Sequence, residues 1–121
     1  MKLEVYEMEN MQLLVLVLSK YEKLDKFLVA LDKAGIKGAT VINSTGMAHL
    51  LNDETDAILG SIRAYLSPER EDNRTVFIVT CQKKIKKAIE VIHDVFGSLN
   101  QPDTGVLFVI PTVYTEGIGN N

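Results

Sequence analysis

Three short segments are apolar on both faces, and this limits the fold more than anything else in the chain. LLVLVL at 13–18, VFIV at 76–79 and VLFVI at 106–110 show no polar residue at alternate positions. A strand with one face in water alternates apolar and polar residues with a period of two. Strands of this kind need cover on both sides. With hydrophobic residues at 46% of 121, there is enough apolar material for one such core and too little chain for two.

The material that covers one side is legible between the strands. In KYEKLDKFLVALDKAG, residues 20–35, Leu24, Phe27, Leu28 and Leu31 fall at i, i+3, i+4 and i+7. That spacing is one helical stripe, and Gly35 supplies a helix stop. QKKIKKAIEVIHDVFG, residues 82–97, repeats the device with Ile85, Ala88, Ile89, Ile92, Val95 and Phe96, ending at Gly97. Strands are expected at 13–19, 38–46, 74–81 and 105–112, and the 113–121 tail is glycine-rich.

The order is therefore β-α-β, an insert, then β-α-β. Two split βαβ units make an α+β, ferredoxin-like βαββαβ domain with a four-stranded antiparallel sheet. Right-handed crossovers put both helices on the same face. The other apolar face stays bare in a single copy, so the pattern predicts self-association through it and leaves the number of subunits open. All of 1–121 reads as one domain. The 47–73 insert between strands two and three is long for a hairpin connection and carries a helical stripe at Ile58, Ile62 and Leu66. It reads as a helix over 56–66, packed on its own domain or acting as a movable arm.

Composition excludes several functions. Lys+Arg is 13 against Asp+Glu 16, a net charge of -3, which argues against a nucleic-acid partner. No apolar run reaches the roughly 20 residues of a membrane span, so no membrane insertion is expected. The acidic opening MKLEVYEMEN is unlike a secretory leader, and the expected location is cytoplasmic. The lone Cys81 allows neither an internal disulfide nor a multi-cysteine zinc site. Ser19, Ser44 and Ser61 lack a base at any recognisable spacing, and the strands carry almost no titratable groups. The chain is read as having no catalytic activity. His49 with Asp53 is the one pairing that supports a metal-ion site. Lys83, Lys84, Lys86 and Lys87 crowd the start of the second helix, where cations are mildly unfavourable.

Two small-residue turns have ligand chemistry. Asn43-Ser44-Thr45-Gly46 closes strand two, and Pro102-Asp103-Thr104-Gly105 opens strand four. Hydroxyls, turn N–H groups and glycine let an anion approach the backbone.

Lys23-Leu24-Asp25, then Ala34-Gly35-Ile36-Lys37-Gly38-Ala39-Thr40-Val41, is similar to the opening of the PII nitrogen-regulatory proteins. Gly105-Val106-Leu107-Phe108-Val109-Ile110-Pro111 resembles their last strand. The likeness spans 11–46 and 74–113. It implies a homotrimer that senses a small-molecule effector between subunits and regulates a protein target through the strand-two to strand-three loop. The site residues are then Ser44, Thr45, Gly46 and Met47 of one subunit with Asp103, Thr104 and Gly105 of its neighbour. A nucleotide is one candidate effector. The family's basic residues are replaced, by Val106 entering the last strand and by Gly117-Ile118-Gly119 at the close, and ATP held in the family manner is not expected. A metal-ion binding trimer of similar fold is the alternative.

Overall fold

The computed structural model describes residues 10–19, 21–47, 73–101 and 104–119. The element order is β1 (Met11–Leu18), α1 (Leu24–Lys33), β2 (Thr40–Ser44), β3 (Asn73–Cys81), α2 (Gln82–Phe96) and β4 (Gly105–Pro111). One four-stranded sheet has the order β2-β3-β1-β4, with every neighbouring pair antiparallel. Each β-α-β passage therefore skips one strand, which is the ferredoxin-like arrangement that the pattern predicts.

The strands match their expected positions closely. The difference lies at β2, which is shorter than 38–46: Gly38, Ala39, Thr45 and Gly46 lie outside the ladder. These small residues fit the pattern of a strand but add no apolar side chain of any size to either face. The expected helix over 56–66 lies outside the described residues.

Gly35 ends α1 as expected, and the geometry gives the reason. Its φ is 88°. The Gly35 N–H donates to the Asp32 carbonyl at 3.0 Å and the Ile36 N–H to the Leu31 carbonyl at 2.9 Å. This paired bonding satisfies two carbonyls that the helix end would otherwise leave open. Ile36 then buries itself in the same core as Leu31.

The core lies between the sheet and the helices. Leu14, Leu16 and Leu18 of β1 and Val76 and Ile78 of β3 meet Phe27 and Leu31 of α1 and Ile85, Ala88, Ile92 and Val95 of α2. Val91 joins them, which widens the α2 stripe by one residue beyond the expected set. Phe27 and Phe96 meet edge to face at 5.3 Å between ring centres and lock α1 to α2. Neither helix has a side-chain N-cap bond, and α2 opens on lysines with no acidic residue in its first turn. Short helices like these are marginal in water, so their stability comes from this packed face.

Among the described residues, no helix lies on the opposite sheet face. Register aligns Val15 with Phe77 on one side and Phe108 on the other, and Val17 with Thr75 and Val106. Leu13, Val79, Ile110 and Ile42 lie on the same face by period. Val106, Phe108, Ile110 and Ile42 are exposed. Val15, between the two phenylalanines in register, is 6% exposed. Both faces of the sheet are thus apolar, and the described helices cover one.

Phe27 is fully buried and its ring bridges the two helices. Phe27→Ala should lower unfolding stability by about 3–5 kcal/mol, read from the shift in the urea midpoint. Val29→Ala, two residues on and more than half exposed, should shift it by less than about 1 kcal/mol.

Candidate functional site

The two turns lie at the same end of the sheet. Ser44 pairs with Asn73, Leu18 with Arg74, and Leu18 with Gly105, so Ser44, Asn73, Leu18 and Gly105 end their strands side by side. They are not adjacent. β2 and β4 are opposite edges, with β3 and β1 between them. Three interstrand steps of about 4.8 Å put the turns roughly 14 Å apart in one copy. Within a single chain Ser44, Thr45, Gly46 and Met47 do not meet Thr104 and Gly105. Asp103 lies outside the described residues.

Each turn is held by its own bonds. The Ser44 and Thr75 hydroxyls are 2.7 Å apart, a polar pair on the otherwise apolar open face. Thr75 is buried, and next to it Asn73 is 6% exposed with an amide oxygen that has no hydrogen-bond partner. Met47 is 74% exposed, a large apolar side chain presented to solvent. The Thr104 hydroxyl lies 2.7 Å from the Gln101 carbonyl and 3.0 Å from the Leu99 carbonyl, so it closes its own loop. The Thr104 carbonyl accepts the Ser19 N–H at 3.2 Å, tying the loop to the end of β1.

Gly105 has a steric explanation that does not involve a ligand. A Cβ there would sit 2.5 Å from the Val17 carbonyl oxygen. Only glycine lets β4 enter this close to β1.

The described cations at this end are Arg74 and Lys23. The Arg74 guanidinium lies over the Tyr21 ring, 3.9 Å from its centre, an interaction that fixes an otherwise flexible side chain. Lys23 reaches the Val95 carbonyl at the end of α2, at 3.4 Å. Residue composition did not single out Arg74 with Tyr21, because 53 positions of chain separate two residues that the β1–β3 ladder brings together. At the other end of the sheet, past β4, the Tyr114 hydroxyl donates to a Glu116 carboxylate oxygen at 2.8 Å. That bond, and to a lesser degree desolvation, holds the phenol's pKa above its ordinary value.

His49 and Asp53 lie outside the described residues. Among the described residues no three His, Cys, Asp or Glu side chains cluster as metal ligands would, and no helix is long and apolar enough to cross a membrane.

No protein-family model matches the chain, and no curated protein matches it in sequence. Solved structures do match, among them a PII protein and a PII-like protein. PII of Arabidopsis thaliana bound to citrate superposes with a TM-score of 0.58 at 18% identity, over 86% of this chain and 78% of that one. CPII, a nitrogen-regulatory PII-like protein of Thiomonas intermedia K12 bound to ADP, AMP and bicarbonate, matches in two structures. Their TM-scores are 0.50 and 0.51 at 15% and 16% identity, over 82% and 84% of this chain and 83% and 89% of theirs. The chain has the PII fold. At these identities the likeness is one of architecture.

Gly105→Ala should push β4 away from β1 or strain the entry to the strand, at a cost of about 1–3 kcal/mol. Hydrogen exchange at the Ser19 amide should speed up in the variant, since its acceptor, the Thr104 carbonyl, moves with that loop.

Proposed function

We propose that this chain is a PII-like signal-transduction protein that works as a homotrimer, binds a small effector between subunits and regulates a protein target. It has no catalysis of its own. The observation that carries the reading is the uncovered apolar sheet face within a PII fold. Exposed Phe108, Ile110, Val106 and Ile42 on one continuous surface are costly in water, and burial against further copies removes that cost.

The same assembly explains the divided site. The two turns lie at one end of the sheet but on opposite edges, so a β2 edge of one copy and a β4 edge of the next form the cleft. Ser44, Thr45, Gly46 and Met47 come from the first copy, and Asp103, Thr104 and Gly105 from the second. Gly105 also serves the packing of β4, and Thr104 offers backbone more than hydroxyl. Turn N–H groups favour an effector with anionic oxygens, the chemistry shared by the citrate, bicarbonate and adenine nucleotides bound by the PII proteins of similar fold. ATP binds weakly, because hydrophobic Val106 and the glycines 117 and 119 stand where the family's phosphate-pairing cations would be. The insert at 47–73 leaves the cleft directly from Met47 and returns at Asn73. Effector binding changes its conformation, and it carries the signal to the target in the cytoplasm. The whole chain acts as one domain with this insert as its output arm.

Light scattering should give a trimer at micromolar concentration. Phe108→Asp, which places a charge on the open face and leaves the helix-side core untouched, should give a folded monomer. A wild-type monomer under these conditions would remove the reading. In calorimetry, AMP, ADP, citrate and bicarbonate are the probes: at least one should bind the trimer and none the Phe108→Asp monomer, with ATP no tighter than AMP.

A further inference from the structure

Glu22, Lys23, Phe96 and Thr104 surround a cavity of about 160 Å³. It lies between the turn before α1, the last residue of α2 and the entry to β4, on the helix side of the sheet. It belongs to one copy of the chain and is separate from the cleft between copies, although Thr104 borders both.

The wall is mostly carbon. Phe96 is half buried, with its ring held edge to face against Phe27. The Thr104 hydroxyl is committed to the Leu99 and Gln101 carbonyls and gives the cavity little polarity. Glu22 and Lys23, both exposed, supply one carboxylate and one ammonium at the border. The Lys23 ammonium has a single, long bond, to the Val95 carbonyl.

Among the described residues that line it, this apolar hole has one charge of each sign beside it. A ligand with a single charge is poorly matched. An aliphatic carboxylate would pair with Lys23 but face Glu22 and the negative end of the α2 dipole. An aliphatic amine would pair with Glu22 but face Lys23. A zwitterion satisfies both, its carboxylate toward Lys23 and its ammonium toward Glu22 and the carbonyls that end α2. The cavity is small beside the 300–1,000 Å³ or so of a drug-sized pocket. It suits a branched aliphatic side chain and not an indole. We infer that this cavity is a binding site for a free α-amino acid with an aliphatic side chain, of the size of leucine or valine. Because it abuts Thr104, its occupancy stiffens the loop that borders the effector cleft.

The test uses the full chain. L-leucine should raise the melting temperature and bind in calorimetry, since only a ligand of the native state stabilises it. 4-Methylpentanoate and 3-methylbutylamine, each lacking one charge, should bind at least about tenfold more weakly, and so should glycine, which lacks the side chain. Glu22→Gln and Lys23→Gln, both at exposed positions, should fold normally and weaken leucine binding roughly tenfold each. Absence of leucine binding at millimolar concentration overturns the inference, as does equal binding of 4-methylpentanoate or unchanged affinity in both variants. AMP, ADP, citrate and bicarbonate titrated on the same proteins report the cleft separately. If leucine fails while any of these four binds, only the cavity reading falls. If leucine binds and none of the four does, only the cleft reading falls.

Discussion

The structure depends on the position of β1 between β3 and β4. All eight of its residues pair with β3 and seven of them with β4, and its side chains serve two faces at once. Leu14, Leu16 and Leu18 are fully buried under the helices. Leu13, Val15 and Val17 build the centre of the opposite face with Phe77 and Phe108 beside them. At roughly 1.5–3 kcal/mol for each fully buried large aliphatic side chain, the helix-side set supplies much of what offsets chain entropy. The second set cannot do the same within one chain. The sheet still has exposed apolar surface at Ile42, Val106, Phe108 and Ile110, which is the physical basis of the proposed assembly.

This arrangement separates the demands of folding from those of binding. The helix-side core needs only one copy. The proposed cleft would need two, because β2 and β4 are opposite edges. The turn residues that looked most like ligand contacts turn out to carry structural duties as well. Gly105 is required by the approach of β4 to Val17, and the Thr104 hydroxyl closes the 99–104 loop. Ser44 is bonded to Thr75 on the open face. Small residues at a strand end are chosen first for conformation, and a binding role has to be compatible with that choice.

Charge is distributed in keeping with this division. The lysines that open α2 sit at the end of the sheet away from the two turns, at Cys81 rather than at Asn73. They oppose the helix dipole, and burial of Ile85, Ala88, Val91, Ile92 and Val95 on the other side of the helix outweighs them. At the turn end the cations are Arg74, stacked on Tyr21, and Lys23 beside Val95. Arg74 is held by its stacking on Tyr21, whereas exposed Lys23 has only a long bond to the Val95 carbonyl.

The sequence by itself determined the order of the described elements, the two helical stripes, the glycine that ends α1 and the apolar character of both sheet faces. These are local or periodic properties: apolar spacing at 3.6 or 2, and a backbone turn with φ of 88° at Gly35 that glycine adopts without strain. It marked Thr104 and Gly105 as unusual but could not say why. Only the tertiary structure decided which strands are neighbours, and hence that Ser44 and Gly105 share an end of the sheet and not an edge. The steric demand on Gly105 comes from the carbonyl of Val17, and the stacking of Arg74 on Tyr21 and the cavity beside Phe96 likewise join distant segments. Such contacts follow from the crossing of the two β-α-β units, and no periodicity along the chain encodes the pairings that crossing creates.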